Sequence, residues 1–435
     1  MRQPGKTAEQ IQAGLRATAV TALAVILTAC AQPPLQPRSL PPRRVRPKPK
    51  PKKDYYRELP PGQHALRKIT DPAARPTLAI GPGRRGKLLE GVKRSLFYLR
   101  KGSSKTFFPK AGISHARVVA SLTVMRELLE SPRSDAEVTA ELERRFDVYT
   151  SVGCDDRGTV LFTGYYTPIF EASKTRTDEF RFPLHKLPPN HVKNPITGET
   201  LGLRQPDGSI DPNYPDRETL LESGMLDGHE LVWLRNAFEA YLIGVQGSAI
   251  LRLQSGERFE VGYAGTNGKD YASLGLALVK AGKLKREELN LKRMIEFFEQ
   301  HPEELDPLAA QNERYIFFQQ SRGGPFGCLN EPVEAMISIA TDKSIFPRGS
   351  LCFLDAKLPG EFGGQDHFKG FMLDQDAGGA IRAPGRCDIF MGVGEEAGRR
   401  AGHTLSEGRL YYLFLKDDAG SSYGARTGFD NDRHG

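Results

Sequence analysis

The clearest hydrophobic pattern in the chain lies between residues 371 and 394. Two apolar runs, 371–373 and 387–391, have the β-favouring composition of buried strands. Gly378 and Gly379 lie between them, and paired glycines allow the backbone to pass close to another segment or to a ligand. The pattern therefore predicts two buried strands joined through a tight crossing.

Two acidic residues accompany these strands. Asp376 follows the first apolar run, and Asp388 lies inside the second, between Cys387 and Ile389. Burial disfavours a carboxylate and raises its pKa, so Asp388 is expected to stay protonated near neutral pH, as a general acid must. The spacing alone favours a structural alternative, in which Asp376 caps a turn and Asp388 is a hydrogen-bonded structural acid.

The rest of the pattern predicts helices first and strands later. Apolar positions at intervals of three and four predict helices between residues 87 and 130, and Ser134 predicts the cap of a third helix. Residues 160–162 predict a buried strand. Residues 245–253 alternate as a strand does, within a middle region, about 169–320, that is punctuated by Gly, Pro, Asn and Asp.

Two further segments bear on chemistry. A Gly-Thr-Asn-Gly loop at 265–268 precedes a helix predicted to begin near Ser273, but it matches neither phosphate-binding glycine motif. Asp342 follows the apolar run 335–340, just before a turn. Asp342, Asp376 and Asp388 can converge in a small barrel although they are distant in sequence.

The amino-terminal residues 1–29 are predicted to be a lipoprotein signal peptide. Basic residues precede an apolar run at 17–27, and Leu27-Thr28-Ala29-Cys30 resembles the site at which bacterial lipoproteins are processed and lipidated on the cysteine. An ordinary signal peptide or a short membrane anchor is the alternative, although the run is shorter than the roughly 20 residues that span a bilayer. The residue after this cysteine is Ala31, whereas an aspartate there would resemble an inner-membrane retention signal. The motif therefore favours the outer membrane.

Residues 30–57 predict a Pro/Lys/Arg-rich tether in extended conformation, and 421–435 a flexible tail. The first 57 residues carry twelve basic and two acidic side chains, so the formal net charge of +8 becomes −2 for the remainder. The globular part therefore has no charge excess that would favour nucleic acid. The basic tether could lie against anionic lipid headgroups or acidic wall polymers.

Cysteine usage leaves the redox state open. After Cys30 the chain contains Cys154, Cys328, Cys352 and Cys387, an even number that permits three pairings. Neither a CxxC nor an HExxH motif is present, so we expect no catalytic metal and no cofactor.

Seven separate blocks resemble, in order, the membrane-bound lytic murein transglycosylase A family, over about residues 160–415. They are GYYTP at 164–168, VQGSA at 245–249, YAGTNGKDYASLG at 263–275, TDKSIFPRGS at 341–350, DAGGAI at 376–381, CDIFMGVGEEAG at 387–398 and GR at 408–409.

The resemblance implies a mainly β fold with N-terminal helices (α+β). It implies a double-psi β-barrel catalytic domain from residues 58–168 and 320–420, whose C-terminal part is a three-aspartate (3D) domain. It places an inserted β-rich domain at 169–319 and a groove between the two domains.

The resemblance also implies non-hydrolytic cleavage of the β-1,4 bond between N-acetylmuramic acid and N-acetylglucosamine in peptidoglycan, with a 1,6-anhydro product. Asp388 is implied to be the catalytic residue, acting first as acid and then as base, with Asp376 and Asp342 in support. The predicted sugar contacts are Tyr165, Thr167, Gln246, Ser248 and Asn267.

Two other functions stay open at this point. One is a peptidoglycan hydrolase that uses Asp376 and Asp388 as an acid and base pair, and the other is a non-catalytic wall-binding lipoprotein. The expected partners are peptidoglycan glycan strands and outer-membrane lipid through Cys30, with no nucleic acid. Proteins of cell-wall synthesis or division could recruit the chain, and its expected location is the periplasmic face of the outer membrane.

Overall fold

The computed structural model describes residues 53–360 and 363–416. Within these ranges the chain forms nine α-helices and seventeen β-strands, besides four short 3-10 segments. The helices are α1 (Arg85–Arg100), α2 (His115–Glu130), α3 (Asp135–Arg145), α4 (Arg217–Glu222), α5 (Ala237–Gln246), α6 (Leu274–Lys280), α7 (Leu291–Gln300), α8 (Leu305–Ala309) and α9 (Glu395–His403). The strands are β1 (Leu66–Lys68), β2 (Phe146–Ser151), β3 (Val160–Thr167), β4 (Ile169–Ser173), β5 (Phe182–His185), β6 (His191–Lys193), β7 (Thr200–Arg204), β8 (Ile210–Asp211), β9 (Glu230–Leu234), β10 (Ser248–Leu253), β11 (Arg258–Thr266), β12 (Ile316–Ser321), β13 (Ser338–Ala340), β14 (Leu351–Pro359), β15 (Gln365–Asp376), β16 (Arg386–Val393) and β17 (Leu405–Leu415).

Six strands form a closed barrel in the order β17-β14-β15-β13-β16-β3, and β1 and β2 extend the same sheet. Closure depends on the length of β17. Its first residues pair with β3, as in Leu405 opposite Thr163, and its later residues pair with β14, as in Tyr412 opposite Cys352. Because both sides of the sheet are joined in this way, the barrel has no free edge there.

Buried apolar side chains make up much of the barrel wall, and the two runs predicted as buried strands belong to it. Residues 371–373 lie in β15, residues 387–391 lie in β16, and Phe353 and Phe162 of the neighbouring strands are fully buried. Burying one such aromatic side chain contributes about 1.5–3 kcal/mol. The predicted mainly β architecture with amino-terminal helices is therefore confirmed at this level.

Helices α1, α2 and α3 cover the barrel. Helix α1 packs closely on β15, since a Cβ at Gly91 would lie 2.6 Å from Leu373 Cδ1. The predicted start of α3 is confirmed, because Ser134 and Glu137 form a reciprocal capping box that satisfies two backbone N–H groups. The amphipathic pattern of residues 87–130 thus forms the helical layer that it predicts.

A second sheet, ordered β12-β11-β10-β4-β9-β5, is formed by residues between 169 and 321, with a separate three-stranded sheet β6-β7-β8. It continues directly from the barrel, because β3 ends at Thr167 and β4 begins at Ile169. Helix α5 packs on this sheet, and helices α6, α7 and α8 share an apolar cluster with α5 around Leu242 and Phe298. The middle region therefore contains substantially more helix than its turn-rich sequence predicts.

The structure corrects the prediction of one strand at 245–253. Val245 and Gln246 end helix α5, Gly247 adopts a left-handed conformation (φ +80°) as its C-cap, and the strand begins only at Ser248. The predicted helix start at Ser273 is confirmed, because its hydroxyl accepts a hydrogen bond from the N–H of Leu276.

The predicted signal peptide, Cys30 and nearly all of the tether lie outside the described residues, as does the predicted tail at 421–435. In the part of the chain that the structure describes, none of the helices combines the length and the apolar character needed to cross a membrane.

Candidate functional site

A row of four residues crosses four neighbouring barrel strands. On β13, Ala340 pairs with Asp376 of β15 on one side and with Asp388 of β16 on the other, and Asp388 in turn pairs with Thr163 of β3. Neighbouring strands are about 4.8 Å apart, so the backbones that carry the two acids are roughly 10 Å apart. Ala340, whose side chain is a single methyl group, lies between the two acids in this row.

Asp388 has the properties expected of a general acid. Burial raises its pKa from 3.8 to about 6, the Arg386 guanidinium and the Thr163 hydroxyl oppose this rise, and the nearby Asp376 carboxyl adds to it. Among the described residues, nothing hydrogen-bonds to its buried Oδ1 atom. A free oxygen on a group that titrates near neutral pH is what proton exchange with a substrate requires.

Asp376 is held in place by three hydrogen bonds. Its Oδ2 accepts from the Tyr165 hydroxyl at 2.7 Å, and its Oδ1 accepts from the backbone N–H groups of Cys328 at 2.9 Å and Ala377 at 2.8 Å. Burial raises its pKa, and these hydrogen bonds counteract the rise. Such a carboxyl group is positioned to influence Asp388 electrostatically, whereas its own oxygens are largely occupied.

Asp342 supports the loop that leads to Asp388. Its Oδ2 accepts from the backbone N–H of Ala383 at 2.9 Å, and its Oδ1 accepts from the N–H and hydroxyl of Ser344 at 3.0 and 2.5 Å. Ala383 has a positive φ of 68°, a conformation uncommon for a residue with a side chain, so this bond stabilises a strained position. Asp342 therefore fixes the backbone five residues before Asp388.

A buried ionic network, which the sequence pattern did not predict, lies inside the barrel. Asp374, fully buried, forms an ion pair with Lys343 and accepts hydrogen bonds from the hydroxyls of Thr341 at 2.8 Å and Tyr412 at 2.8 Å. Lys343 also donates to the Thr341 hydroxyl. The Lys343 charge lowers the pKa of Asp376, which links this network to the row of acids.

Arg386 is another residue of the site that the sequence pattern did not predict. It is 8% exposed, its Nη2 donates to the Thr163 hydroxyl at 3.3 Å, and its guanidinium lies 5.2 Å from the centre of the Tyr56 ring. Its buried Nε atom has no hydrogen-bond acceptor within the described ranges. Residues i and i+2 of a strand share a face, so its position two residues before Asp388 was the available signal.

The predicted sugar contacts have different surroundings. The Tyr165 hydroxyl donates to Asp376, and its ring lies 5.2 Å from that of Phe390. Gln246 Oε1 accepts from the N–H of Tyr166 at 3.0 Å, which ties helix α5 to β3. Gln246 is half-buried, so part of its side chain still reaches the surface.

Two of the five predicted contacts, Thr167 and Asn267, are buried and hydrogen-bonded within the protein itself. Thr167 is 1% exposed, and its hydroxyl is 3.0 Å from that of Ser248. Asn267 is 2% exposed, and its amide donates to the carbonyls of Pro215 and Glu313 and accepts from the N–H of Tyr315. These hydrogen bonds favour a structural role for Thr167 and Asn267.

Within the residues that the structure describes, the site contains neither a disulfide nor a cluster of metal ligands. Cys154, Cys328, Cys352 and Cys387 are free thiols there, and His, Cys, Asp and Glu side chains form no cluster of three or more that could hold a metal ion. Lipidation of Cys30 concerns a residue outside the described ranges.

Two family models match the chain. Residues 161–319 match the MltA specific insert domain, and residues 337–414 match the 3D domain. The Escherichia coli K12 protein named membrane-bound lytic murein transglycosylase A is 30% identical over 283 residues, which cover 64% of this chain and 72% of that protein. The Vibrio cholerae protein of the same name is 29% identical to this chain over 273 residues, which cover 61% of this chain and 68% of that protein.

Solved structures show a related fold. The membrane-bound lytic murein transglycosylase of Agrobacterium tumefaciens superposes with a TM-score of 0.65 at 27% identity, covering 78% of this chain and 97% of that one. Escherichia coli MltA with bound chitohexaose superposes with a TM-score of 0.62 at 23% identity, covering 84% and 96%.

Proposed function

Because the chain belongs to the membrane-bound lytic murein transglycosylase A family, we propose that it cleaves the β-1,4 bond between N-acetylmuramic acid and N-acetylglucosamine in peptidoglycan, and that Asp388 alone carries the proton transfers. Members of this family are peptidoglycan-cleaving lyases, and the present chain is an enzyme of that class. The observation that carries the proposal is the Asp388 carboxyl group, with a pKa of about 6 and a free Oδ1 atom.

In the first step, protonated Asp388 gives its proton to the glycosidic oxygen. The bond from that oxygen to C1 of the muramoyl residue then breaks, and positive charge develops at C1 as the N-acetylglucosamine hydroxyl leaves. The Asp388 carboxylate that results is stabilised by the Arg386 guanidinium, whose charge lowers the pKa of Asp388. This favours proton release at the moment when the glycosidic bond breaks.

In the second step, the Asp388 carboxylate takes the proton from the C6 hydroxyl of the same muramoyl residue. The C6 oxygen forms a bond to C1, which closes the 1,6-anhydro ring and restores protonated Asp388. Atoms and charge balance without water, and one carboxyl group serves as acid and then as base. A hydrolase would need a second carboxylate to activate water.

The surroundings of Asp376 favour the single-acid mechanism over the hydrolase. Three hydrogen bonds occupy its oxygens, so a water molecule would compete with the Tyr165 hydroxyl for Oδ2. We assign Asp376 the role of a neighbour that raises the pKa of Asp388 through its negative charge. Tyr165, Gln246 and Ser248 remain our candidates for sugar contacts.

The finer fold assignment is also a proposal. We propose a double-psi barrel built from residues 58–168 and 320–420, with residues 169–319 inserted between its halves. The parallel pairs β13–β15 and β16–β3 support it, because segments far apart in sequence meet side by side in the closed barrel. The glycan strand is proposed to bind where the two parts meet.

We further propose attachment to the outer membrane through lipidated Cys30, on its periplasmic face. The support is the processing motif at residues 27–30 together with the name of the relatives, membrane-bound. The basic tether at 30–57 would then connect the lipid to the enzyme.

The mechanism is tested by digesting purified peptidoglycan in water enriched in oxygen-18 and analysing the soluble products by mass spectrometry. The expected products are 1,6-anhydro-muropeptides without the heavy isotope. Reducing-end products carrying one oxygen-18 atom would establish the two-carboxylate hydrolase instead. Binding of peptidoglycan with no release of fragments would leave the wall-binding lipoprotein as the function.

A further inference from the structure

A short segment, residues 53–57, packs against the start of strand β16. A Cβ at Gly385, the residue before β16, would lie 2.8 Å from the backbone carbonyl oxygen of Tyr55. Glycine permits this close approach, because a side chain there would collide with the segment. Asp388 follows Gly385 by three residues, so the segment contacts the strand that carries the proposed acid.

Hydrogen bonds on both sides fix this segment to the barrel domain. The Tyr55 hydroxyl donates to Glu407 Oε1 of β17 at 2.5 Å. On the other side, Arg57 Nε donates to the backbone carbonyl of Cys154 at 2.7 Å. Tyr56 lies between these two anchors, so its backbone position is determined from both directions.

The ring of Tyr56 lies against the guanidinium group of Arg386. The centre of the ring is 5.2 Å from Arg386 Cζ, which is within the range of a cation–π interaction. Asp54 Oδ1 accepts from the N–H of Tyr56 at 3.0 Å and stabilises the turn that presents the ring. Tyr56 is 49% exposed and Arg386 is 8% exposed, so the ring lies on the solvent side of a buried cation.

The other polar contacts of Arg386 fix its orientation only weakly. Its Nη2 donates to the Thr163 hydroxyl at 3.3 Å, slightly longer than an ordinary N–H···O hydrogen bond. Its buried Nε atom has no acceptor among the residues that the structure describes. The orientation of the guanidinium therefore depends on the Tyr56 ring.

This orientation bears directly on Asp388. Cys387 and Ile389 are fully buried. Because neighbouring residues of a strand point to opposite faces, Arg386 and Asp388 share the other face of β16. Asp388 pairs in register with Thr163, whose hydroxyl accepts from Arg386, so the guanidinium extends along the strand towards the carboxyl group. Burial raises the pKa of Asp388, and the charge of Arg386 counteracts this rise.

We propose that Tyr56 is a positioning residue, whose ring holds the Arg386 guanidinium beside Asp388 so that the positive charge is in place when the Asp388 carboxylate forms. The inference rests on the proposed function, in which Asp388 gives its proton to the glycosidic oxygen. Tyr56 acts through Arg386 and takes no part in bond cleavage or in binding of the glycan.

The test compares Tyr56→Leu and Tyr56→Phe with the parent in the pH dependence of kcat and KM, using release of fragments from soluble glycan strands. Leucine removes the aromatic face, whereas phenylalanine keeps it. We expect Tyr56→Leu to lower kcat about threefold and to leave KM unchanged. The fall of kcat/KM on the basic side should move to higher pH by about half a pH unit, because a displaced Arg386 lowers the pKa of Asp388 less. Tyr56→Phe should restore most of kcat and the parent profile.

A double variant shows whether the effect passes through Arg386. Tyr56→Leu should have no further effect on kcat when Arg386 is already glutamine, because the ring then has no cation to position. Phe97→Leu is the matched control, since Phe97 is an exposed ring on α1 that lies 4.9 Å from Lys101 Nζ, and parent values are expected for it.

Three results would overturn the proposal. One is an equal loss from Tyr56→Leu in the parent and in Arg386→Gln. The second is a raised KM with an unmoved pH profile, as expected of a ring that stacks on a sugar. The third is a lowered melting temperature with an unmoved pH profile, as expected of a ring with a purely structural role.

Other titratable groups near Asp388 are unchanged by these variants. Besides burial, the charge of Asp376 raises the pKa of Asp388. Burial raises the pKa of Tyr165 and of Cys387 well above their usual values, so both stay neutral over the range in which Asp388 titrates. A shift in the titration of Asp388 therefore reports on the guanidinium.

A measurement without substrate separates this proposal from the proposed function. Carbon-13 NMR of the full-length protein follows the Asp388 carboxyl group directly, with its resonance assigned from the Asp388→Asn spectrum. We expect Asp388 to titrate about half a pH unit higher in Tyr56→Leu than in the parent. If the parent releases no fragments but this titration still moves, the positioning role stands and the catalytic proposal fails. If Asp388 titrates at the same pH in both proteins, the positioning role fails whether or not the parent cleaves glycan.

Discussion

Replacing Lys343 with methionine should destabilise the barrel strongly. Lys343 and Asp374 are 5% and 0% exposed at their side chains, and they form an ion pair inside the barrel. Methionine fills nearly the same volume but removes the ammonium group. The Asp374 carboxylate would then remain buried with only the hydroxyls of Thr341 and Tyr412 as donors.

The expected loss follows from the cost of leaving one buried charge unpaired. Removing one partner of a buried ion pair costs about 3–5 kcal/mol. The two remaining hydroxyl donors to Asp374 place this case at the lower end, at about 3 kcal/mol. With an unfolding entropy of about 2.1 cal/mol/K per residue, and a folded part of about 360 residues, the melting temperature should fall by about 4 °C.

The assay is urea denaturation followed by circular dichroism, with Lys357→Met as the matched control. Lys357 is exposed on β14 of the same barrel, so its replacement should change the free energy of unfolding by no more than about 0.5 kcal/mol. The double variant Lys343→Met with Asp374→Leu should recover part of the loss, because it removes both buried charges.

The reasoning would be refuted if Lys343→Met unfolded within about 1 kcal/mol of the Lys357→Met control. It would also be refuted if the double variant were less stable than Lys343→Met by the full cost of a second independent change, because the two residues would then not act as a pair.

Three further changes test the site. Arg386→Gln removes the charge that lowers the pKa of Asp388, so the fall of kcat/KM on the basic side should move to higher pH, and an unmoved pH profile would exclude this electrostatic role. Tyr165→Phe removes the hydroxyl group that donates a hydrogen bond to the Asp376 carboxyl group. Initial rates of fragment release should show kcat lowered by about tenfold, and the protein should stay folded. Gly379→Val brings a Cβ within 3.2 Å of Arg314 and should lower the melting temperature and activity together, whereas unchanged values of both would contradict the close crossing.

Local sequence patterns predicted the elements whose burial is simplest. Strands β15 and β16 contain near-continuous apolar runs, and α3 has a complete capping box, so both were evident from the sequence. The end of helix α5 was wrongly predicted as strand, because residues 245–253 alternate in polarity across a helix end and a strand start. Only the left-handed Gly247 separates the two elements, and the φ of a glycine cannot be read from sequence.

The site was predicted only in part, for a related reason. Asp376 and Asp388 stand out as acids beside apolar runs, but their common row with Ala340 depends on the register of three strands. Asp374 lies two residues before Asp376, and only the closed barrel shows that Lys343 is its partner. Long-range pairings of this kind determine which polar residues are buried together, and sequence periodicity does not contain them.

The most direct test of the central claim compares two isosteric variants, Asp388→Asn and Asp376→Asn, in release of 1,6-anhydro products from purified peptidoglycan. Both variants should first be shown to have the circular dichroism spectrum of the parent. We expect Asp388→Asn to lose about a thousandfold or more in rate, because one group supplies both proton transfers, and Asp376→Asn to retain measurable release of the same anhydro products. A folded Asp388→Asn variant that released these products within about tenfold of the parent rate would contradict it.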